Sequence, residues 1–393
     1  MAKKMAADVA VVMVPLPAQG HLNQLLHLSH LISGYGFPVH FVGTPTHNRQ
    51  ARVRVHGWDP KVTSKIQFHD FPAPPFPTPP PNPNTSDKLP VQLFPSFHAI
   101  IHLRQPICEL IQKLSVTSKR VVVIHDSLMV YVIQDVPTIA NAESYTFQSV
   151  SAFAMYTYYW EMAGKPVIVN GETINDLLIS VRGGDFPKEF AEFMQLQIES
   201  RKHNWGNLYN TSRVIDGEFL DSVAQEPPYS AEKHWAIGPF NPPDTTKSRA
   251  SEKRHNCLEW LDNQPTNSVI FVSFGSTTSL CDKQIREIAV GLDNSGAKFI
   301  WVLRDADRAD VFLEETRRAS LPEGVGDWGH EGELVKADEI EEVVKRLMNS
   351  GEGEEMRKKA AEIREEIKKP VEKVADGNSG TTEMDAFVAH ITR

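Results

Sequence analysis

The sequence predicts two α/β domains in tandem, each built on a parallel sheet. Two observations predict this. First, Val9-Ala-Val-Val-Met-Val14 is a continuous apolar run of strand length, followed by a turn, a helical pattern and a second strand at Val39-His-Phe-Val-Gly43. Unbroken apolar strands suit a sheet covered on both faces. Second, the same order restarts at Ser268-Val-Ile-Phe-Val-Ser-Phe274, continues through a Gly275-Ser276 turn and a helix from Asp282 to Leu292, and returns to a strand at Lys298-Phe-Ile-Trp-Val-Leu303. Strand–helix–strand units favour parallel pairing. Glycine and prolines cluster at Trp235-Ala-Ile-Gly-Pro-Phe-Asn-Pro-Pro243, which sets the boundary and gives domains of residues 1–238 and 239–393.

Pro15, Pro17 and Gly20 end the first strand. Leu22, Leu25, Leu26, Ser29 and Ile32 then fall at helical spacing, and Gly34 and Gly36 suit a helix end. The proline-rich stretch 71–90 is a surface loop, because proline lacks an N–H and has a fixed φ. Residues 92–114 resume a helical pattern, and Arg120-Val-Val-Val-Ile-His-Asp126 is another buried strand. Val150 to Trp160 is dense in aromatics, which fits either core packing or a pocket wall for a flat ligand. Glu339 to Val374 is a charged helical region with Ile340, Val343, Val344 and Leu347 on one face, kinked at Pro370.

Composition narrows the function. Acidic residues outnumber basic ones by 50 to 41 in 393 residues, giving a net charge of -9. That sign argues against a nucleic-acid binder and against docking on an anionic membrane. No apolar run reaches the roughly 18–20 residues of a membrane helix. Lys3 and Lys4 precede an apolar stretch, but Asp8 interrupts it, so it reads as a strand rather than a secretion signal. Three widely spaced cysteines with no CxxC argue against a disulfide framework or a zinc site and point to a reducing, cytoplasmic compartment.

Chemistry concentrates at Pro17-Ala18-Gln19-Gly20-His21-Leu22-Asn23. His21 follows the first strand and opens a helix, where ligands of open α/β sheets bind. A helix N-terminus disfavours the imidazolium, so His21 should tend to stay neutral and able to accept a proton. A capping or packing role is the alternative. Asp126 ends another strand at the same inferred edge and can accept a hydrogen bond from His21, the base-plus-orienter logic of a catalytic triad. His125 is a competing base, but alternation along the strand points it the other way. The turn at Gly275 and Ser276 offers backbone N–H groups ahead of a helix, which suits a diphosphate. The chain contains no GxGxxG after a strand, no GxxxxGK[ST], no HExxH and no GxSxG.

Together, these segments resemble plant UDP-glycosyltransferases of the GT-B fold. The likeness is carried by Val14 to Gln24, Asn210-Thr-Ser212, Glu259-Trp-Leu-Asp262, Ser268 to Ser276 and Phe299-Ile-Trp-Val-Leu-Arg304. Within the family the chain is most similar to zeatin O-glycosyltransferases, through His47-Asn-Arg-Gln50, Asn141-Ala-Glu-Ser-Tyr145, Trp235 to Asn241 and Ala389-His-Ile-Thr-Arg393. The resemblance implies two Rossmann-like domains facing a cleft. It also implies inverting transfer of a hexose or pentose from a UDP-sugar co-substrate, UDP-glucose or UDP-xylose, to a hydroxyl of a small acceptor, a cytokinin or a phenolic. His21 is then the general base and Asp126 its partner. Gly275 and Ser276 hold the diphosphate, and Gln19, Phe153 and Tyr156 lie on the acceptor side. No bound cofactor or metal is implied, and the chain is expected to be monomeric.

The sequence departs from the family at one place. The long signature box with Trp-Ala-Pro-Gln and His-Cys-Gly-Trp-Asn-Ser is absent, and Leu321-Pro-Glu-Gly-Val-Gly-Asp-Trp-Gly-His-Glu-Gly332 runs straight toward the last helices. About 70 residues, two strand–helix units of a Rossmann-like domain, are expected to be deleted, leaving the second domain truncated. The expected consequences are weak donor binding and exposed apolar edges around Phe271 and Ile300. A non-catalytic protein that keeps only the acceptor pocket is the alternative function.

Overall fold

The structure, a computed structural model, describes residues 8–55, 58–84, 89–169, 172–174, 187–202, 204–227, 229–240, 256–312, 335–375 and 382–393. It divides into two compact units. One comprises Met1–Pro77, Phe94–Ser248 and Glu366–Arg393, and the other Thr78–Leu93 and Arg249–Glu365.

The first unit contains strands β1 (Val9–Val14), β2 (Val39–Gly43), β3 (Ile66–Asp70), β4 (Arg120–Asp126) and β5 (Ala142–Gln148). A short antiparallel hairpin, β6 (Val167–Val169) with β7 (Glu172–Ile174), follows, and then β8 (Gly206–Tyr209) and β9 (Lys233–Ala236). Apart from the hairpin, these strands form one seven-stranded sheet in the order β3-β2-β1-β4-β5-β8-β9, parallel at every pairing. All six residues of β1 are buried, as its apolar run predicts. The helix Gln19–Gly34 buries each of Leu22, Leu25, Leu26, Ser29 and Ile32. Each buried leucine or isoleucine contributes about 1.5–3 kcal/mol from apolar area removed from water. Ser29 is tolerated because its hydroxyl donates to the Leu25 carbonyl at 2.7 Å.

Strands β3, β5, β8 and β9 do not announce themselves in the sequence. In β5 the side chains of Glu143, Ser144, Thr146 and Gln148 are buried, so no apolar run appears. Hydrogen bonds offset that burial. Tyr145 donates to Glu143 at 2.7 Å, and Gln148 donates to Asn207 at 3.3 Å.

The last helix, Glu383–Ile391, packs with the first unit, not with the second domain in which the division at residue 238 places it. Phe387 and Ile391 are fully buried in the first core. The Phe387 ring sits 5.3 Å from Tyr145 and 5.2 Å from Trp235, and Arg393 donates to Glu143 at 2.8 Å.

In the second unit, β10 (Val269–Ser273) pairs in parallel with β11 (Lys298–Val302). The helices Asp282–Asn294 and Ala337–Asn349 cover one face, where Ile270, Val272, Phe299 and Trp301 pack on Ile288, Leu292 and Val344. Gly291 permits this approach, since a Cβ there would lie 2.6 Å from Ile340 Cβ and 2.7 Å from the Ala337 carbonyl. Among the described residues this sheet has two strands. Phe271 is 67% exposed, in line with the apolar edge expected there. Val343, expected on the apolar helical face, is exposed as well. The segment 321–332 lies outside the described residues.

Candidate active site

The site is assembled at the carboxyl edge of the first sheet. β1 and β4 are adjacent and parallel, with Val14 opposite His125, so the chain leaving β1 and the end of β4 meet. The helix Gln19–Gly34 begins without a side-chain cap, and His21 stands in its first turn. Its Nδ1 lies 2.7 Å from Asp126 Oδ2; the carboxylate has no solvent exposure and the imidazole 26%. A buried carboxylate needs donors, and the imidazole supplies Nδ1–H. This fixes the tautomer and leaves a lone pair on Nε2. Nε2 makes no hydrogen bond among the described residues. A Cβ on Gly20 would meet nothing within 4 Å, so the turn that precedes His21 is open there.

Burial disfavours the imidazolium of His21, but the charge of Asp126 and its hydrogen bond outweigh that, and the His21 pKa is raised above its ordinary value. The helix N-terminus therefore does not dominate, contrary to what its position alone predicts: the carboxylate in contact is the stronger local field. For Asp126, burial acts to raise the pKa. The His21 charge, the hydrogen bonds from His21 and Ser149 and the Leu128 N–H at 3.0 Å outweigh it and hold the carboxyl below its usual range. His125 sits on the opposite face, as alternation predicts. It donates from Nδ1 to the Asp126 carbonyl at 2.9 Å and lies 3.3 Å from the Thr146 hydroxyl. Burial pushes its pKa down to about 4.

Gln19 is buried in the same first turn, and its Nε2 donates to Gln50 Oε1. Its own Oε1 is buried without a hydrogen-bond partner. Phe153 and Tyr156 stand on the helix Ala152–Met162, which follows Ser149. Phe153 packs on Phe219 at 4.9 Å, and Tyr156 is buried against Trp160 at 4.2 Å with its hydroxyl 3.4 Å from Ile168 N. Gly275 and Ser276 belong to the second unit. Gly275 has φ +77, a conformation that favours glycine, and the Ser276 carbonyl accepts from Asp307 N at 2.7 Å. Sequence reasoning passed over Ser149, whose hydroxyl donates to Asp126 Oδ2 and lies 2.8 Å from His21 Nδ1. It directly follows β5, and its position at a third adjacent strand end was the available signal. The described residues contain no group of three or more side chains able to hold a metal ion, and no helix long and apolar enough to cross a membrane.

A parallel α/β domain with a carboxylate-oriented imidazole at its strand ends has the geometry that general-base enzymes use. The family described as Glycosyltransferase, N-terminal domain, matches residues 7–242. The chain is 39% identical to a zeatin O-glucosyltransferase of Phaseolus lunatus, over 98% of this chain and 97% of that protein. It is 38% identical to a zeatin O-xylosyltransferase of Phaseolus vulgaris, over the full length of both. A UGT transferase from Siraitia grosvenorii, solved in complex with UDP, superimposes over 98% of this chain and 100% of that one with a TM-score of 0.70 at 22% identity, which shows the shared GT-B fold. The chain belongs to the plant UDP-glycosyltransferase family, whose members transfer sugar from a UDP-sugar to a small acceptor.

Proposed function

We propose that the chain transfers glucose or xylose from the UDP-sugar to a hydroxyl of a cytokinin such as zeatin, with inversion at the anomeric carbon. His21 Nε2 takes the proton of the acceptor hydroxyl. The acceptor oxygen forms a bond to the anomeric carbon while the bond to the diphosphate oxygen breaks on the opposite face, and UDP leaves with the electron pair. Asp126 holds the tautomer and stabilises the imidazolium that forms. Gly275 and Ser276 contribute to the diphosphate site. The buried Oε1 of Gln19 accepts a hydrogen bond from the acceptor substrate, and Phe153 and Tyr156 support that side from within the packing. The observation that carries the reading is the 2.7 Å contact between His21 and the fully buried Asp126. Relatives named for zeatin supply the acceptor class. Three free cysteines accord with a cytoplasmic monomer.

A second reading, acceptor binding without sugar transfer, has its own support. The alignment with the Phaseolus lunatus protein spans 460 positions, more than this chain's 393 residues, so dozens of positions have no counterpart here. A shortened donor domain accounts for that difference and for a two-stranded second sheet with Phe271 exposed. Calorimetry with UDP-glucose and with zeatin, alongside an assay of UDP release, separates the two. Binding of both with release of UDP supports transfer. Binding of zeatin alone supports the second reading, and binding of neither removes both.

A further inference from the structure

A run of amide hydrogen bonds joins the His21 helix to the far edge of the first sheet. Gln24 stands one turn beyond His21, on the same helix face. Its Nε2 donates to the Gly20 carbonyl at 3.0 Å and to the Ser149 carbonyl at 3.0 Å. Its Oε1 accepts from Asn210 Nδ2 at 3.0 Å. Asn210 Oδ1 in turn accepts from the Phe240 N–H at 2.8 Å. Both N–H donors and the carbonyl of Gln24 are thus engaged.

The two carbonyls that Gln24 grips belong to the residues that place the reacting pair. Gly20 immediately precedes His21. Ser149 carries the hydroxyl that donates to Asp126 and lies 2.8 Å from His21 Nδ1. Asn210 is itself confined, because a Cβ on Gly238 would fall 2.3 Å from its Oδ1. An amide held at its nitrogen by two carbonyls and at its oxygen by a second, walled-in amide has one orientation available.

We infer that Gln24, oriented by Asn210, is a positioning residue for the His21–Asp126 pair, tying the first turn of the His21 helix to the loop that carries Ser149. The inference rests on the reading of His21 as the base and adds to it two residues with no substrate contact. Sub-ångström alignment of this kind matters because misplacing a reacting group costs about 10- to 100-fold in rate.

The variant Gln24→Met keeps the length and helix propensity of the side chain and removes all three hydrogen bonds. Imidazole nitrogen spectra of the full chain, recorded across pH and assigned with His21→Ala, report the tautomer and the titration midpoint of His21. In Gln24→Met the Nδ1–H tautomer is expected to lose its dominance and the His21 midpoint to fall, while the His125 signals stay in place as a check on the fold. Asn210→Leu is expected to act in the same direction. A folded Gln24→Met with His21 unchanged in tautomer and midpoint overturns the inference. A second measurement uses the unaltered chain. Slow exchange of the Gln24 side-chain amide protons is expected, and exchange at the rate of a free side-chain amide overturns the inference even where the variants fail to fold. Neither readout needs sugar transfer. A shifted His21 in a chain that releases no UDP leaves the positioning role standing and removes the proposed activity. UDP release with His21 unshifted does the reverse.

Discussion

Nδ1 of His21 and Oδ2 of Asp126 lie 2.7 Å apart although 105 residues separate them in the chain. Two parallel neighbours, β1 and β4, bring the turn after β1 and the last residue of β4 to one edge, and the pair is the product of that adjacency.

If that pair does the proton transfer, His21→Ala lowers kcat for UDP release by about 10²–10⁴-fold, the usual worth of a general base. Asp126→Asn lowers kcat as well, because an amide no longer fixes the tautomer. The acceptor KM changes little in both. Measured transfer by His21→Ala at the parent rate would sink the assignment.

Acid should destabilise the first unit before it touches the His21–Asp126 pair. Burial lowers the pKa of His40 and His125 to about 4 each, so both are neutral in the fold at pH 7. His40 also faces His69 across 2.9 Å. A depressed folded pKa gives stability that is full above the unfolded value near 6.5 and drains away as pH falls toward 4. Each group removes up to about 1.4 kcal/mol per pH unit in that window. His21 has the opposite sign: its raised pKa stabilises below 6.5 and is lost as pH rises through the folded value. Asp126, held low, contributes fully above its unfolded value and so stays outside the acid window. Burial also lowers the pKa of His27, His30, His69, His234 and His390, so depressed histidines outnumber His21, and the urea midpoint is expected to fall from pH 7.5 to pH 5. A constant midpoint contradicts the burial argument.

Phe387→Ala should cost about 3–5 kcal/mol, the range for emptying a buried phenylalanine site. The ring is fully buried between Tyr145 and Trp235, so the cavity has little room to collapse. Urea unfolding followed by tryptophan fluorescence reads the loss directly.

Phe271→Lys should leave stability within about 0.5 kcal/mol, since an exposed position away from the packed face contributes little. The same change should reduce self-association measured by light scattering, because a charge on an open strand discourages edge pairing. Unchanged scattering, or a large drop in stability, would show that Phe271 is covered in solution.

Much of the first sheet's centre was legible because β1, β2 and β4 are apolar runs ended by turn residues, and His21 and Asp126 sit where such runs stop. His125 was sorted correctly by alternation alone. What escaped did so for physical reasons. β5 hides its burial behind hydrogen-bonded polar side chains such as Glu143 and Gln148. Gln24 and Asn210 look like ordinary surface amides until the fold brings residues 24, 149 and 210 together. The aromatic segment 150–160 stayed open between core packing and a pocket wall, since an aromatic cluster reads the same in either setting; Tyr156 packs with Val167, Val223 and Tyr229. The uncovered side chain of Phe271 was legible as well, because the missing signature box left an apolar edge expected there, and it is exposed among the described residues.

The docking of Phe387 and Ile391 into the first core has a consequence for biogenesis. The sheet that begins at Val9 cannot close its hydrophobic interior until residues 383–391 have left the ribosome. Until then, Tyr145 and Trp235 present an unfilled groove to solvent or to chaperones. Translation that stops short of residue 383 therefore releases a protein with His21 and Asp126 encoded but the core of its first unit still unsealed.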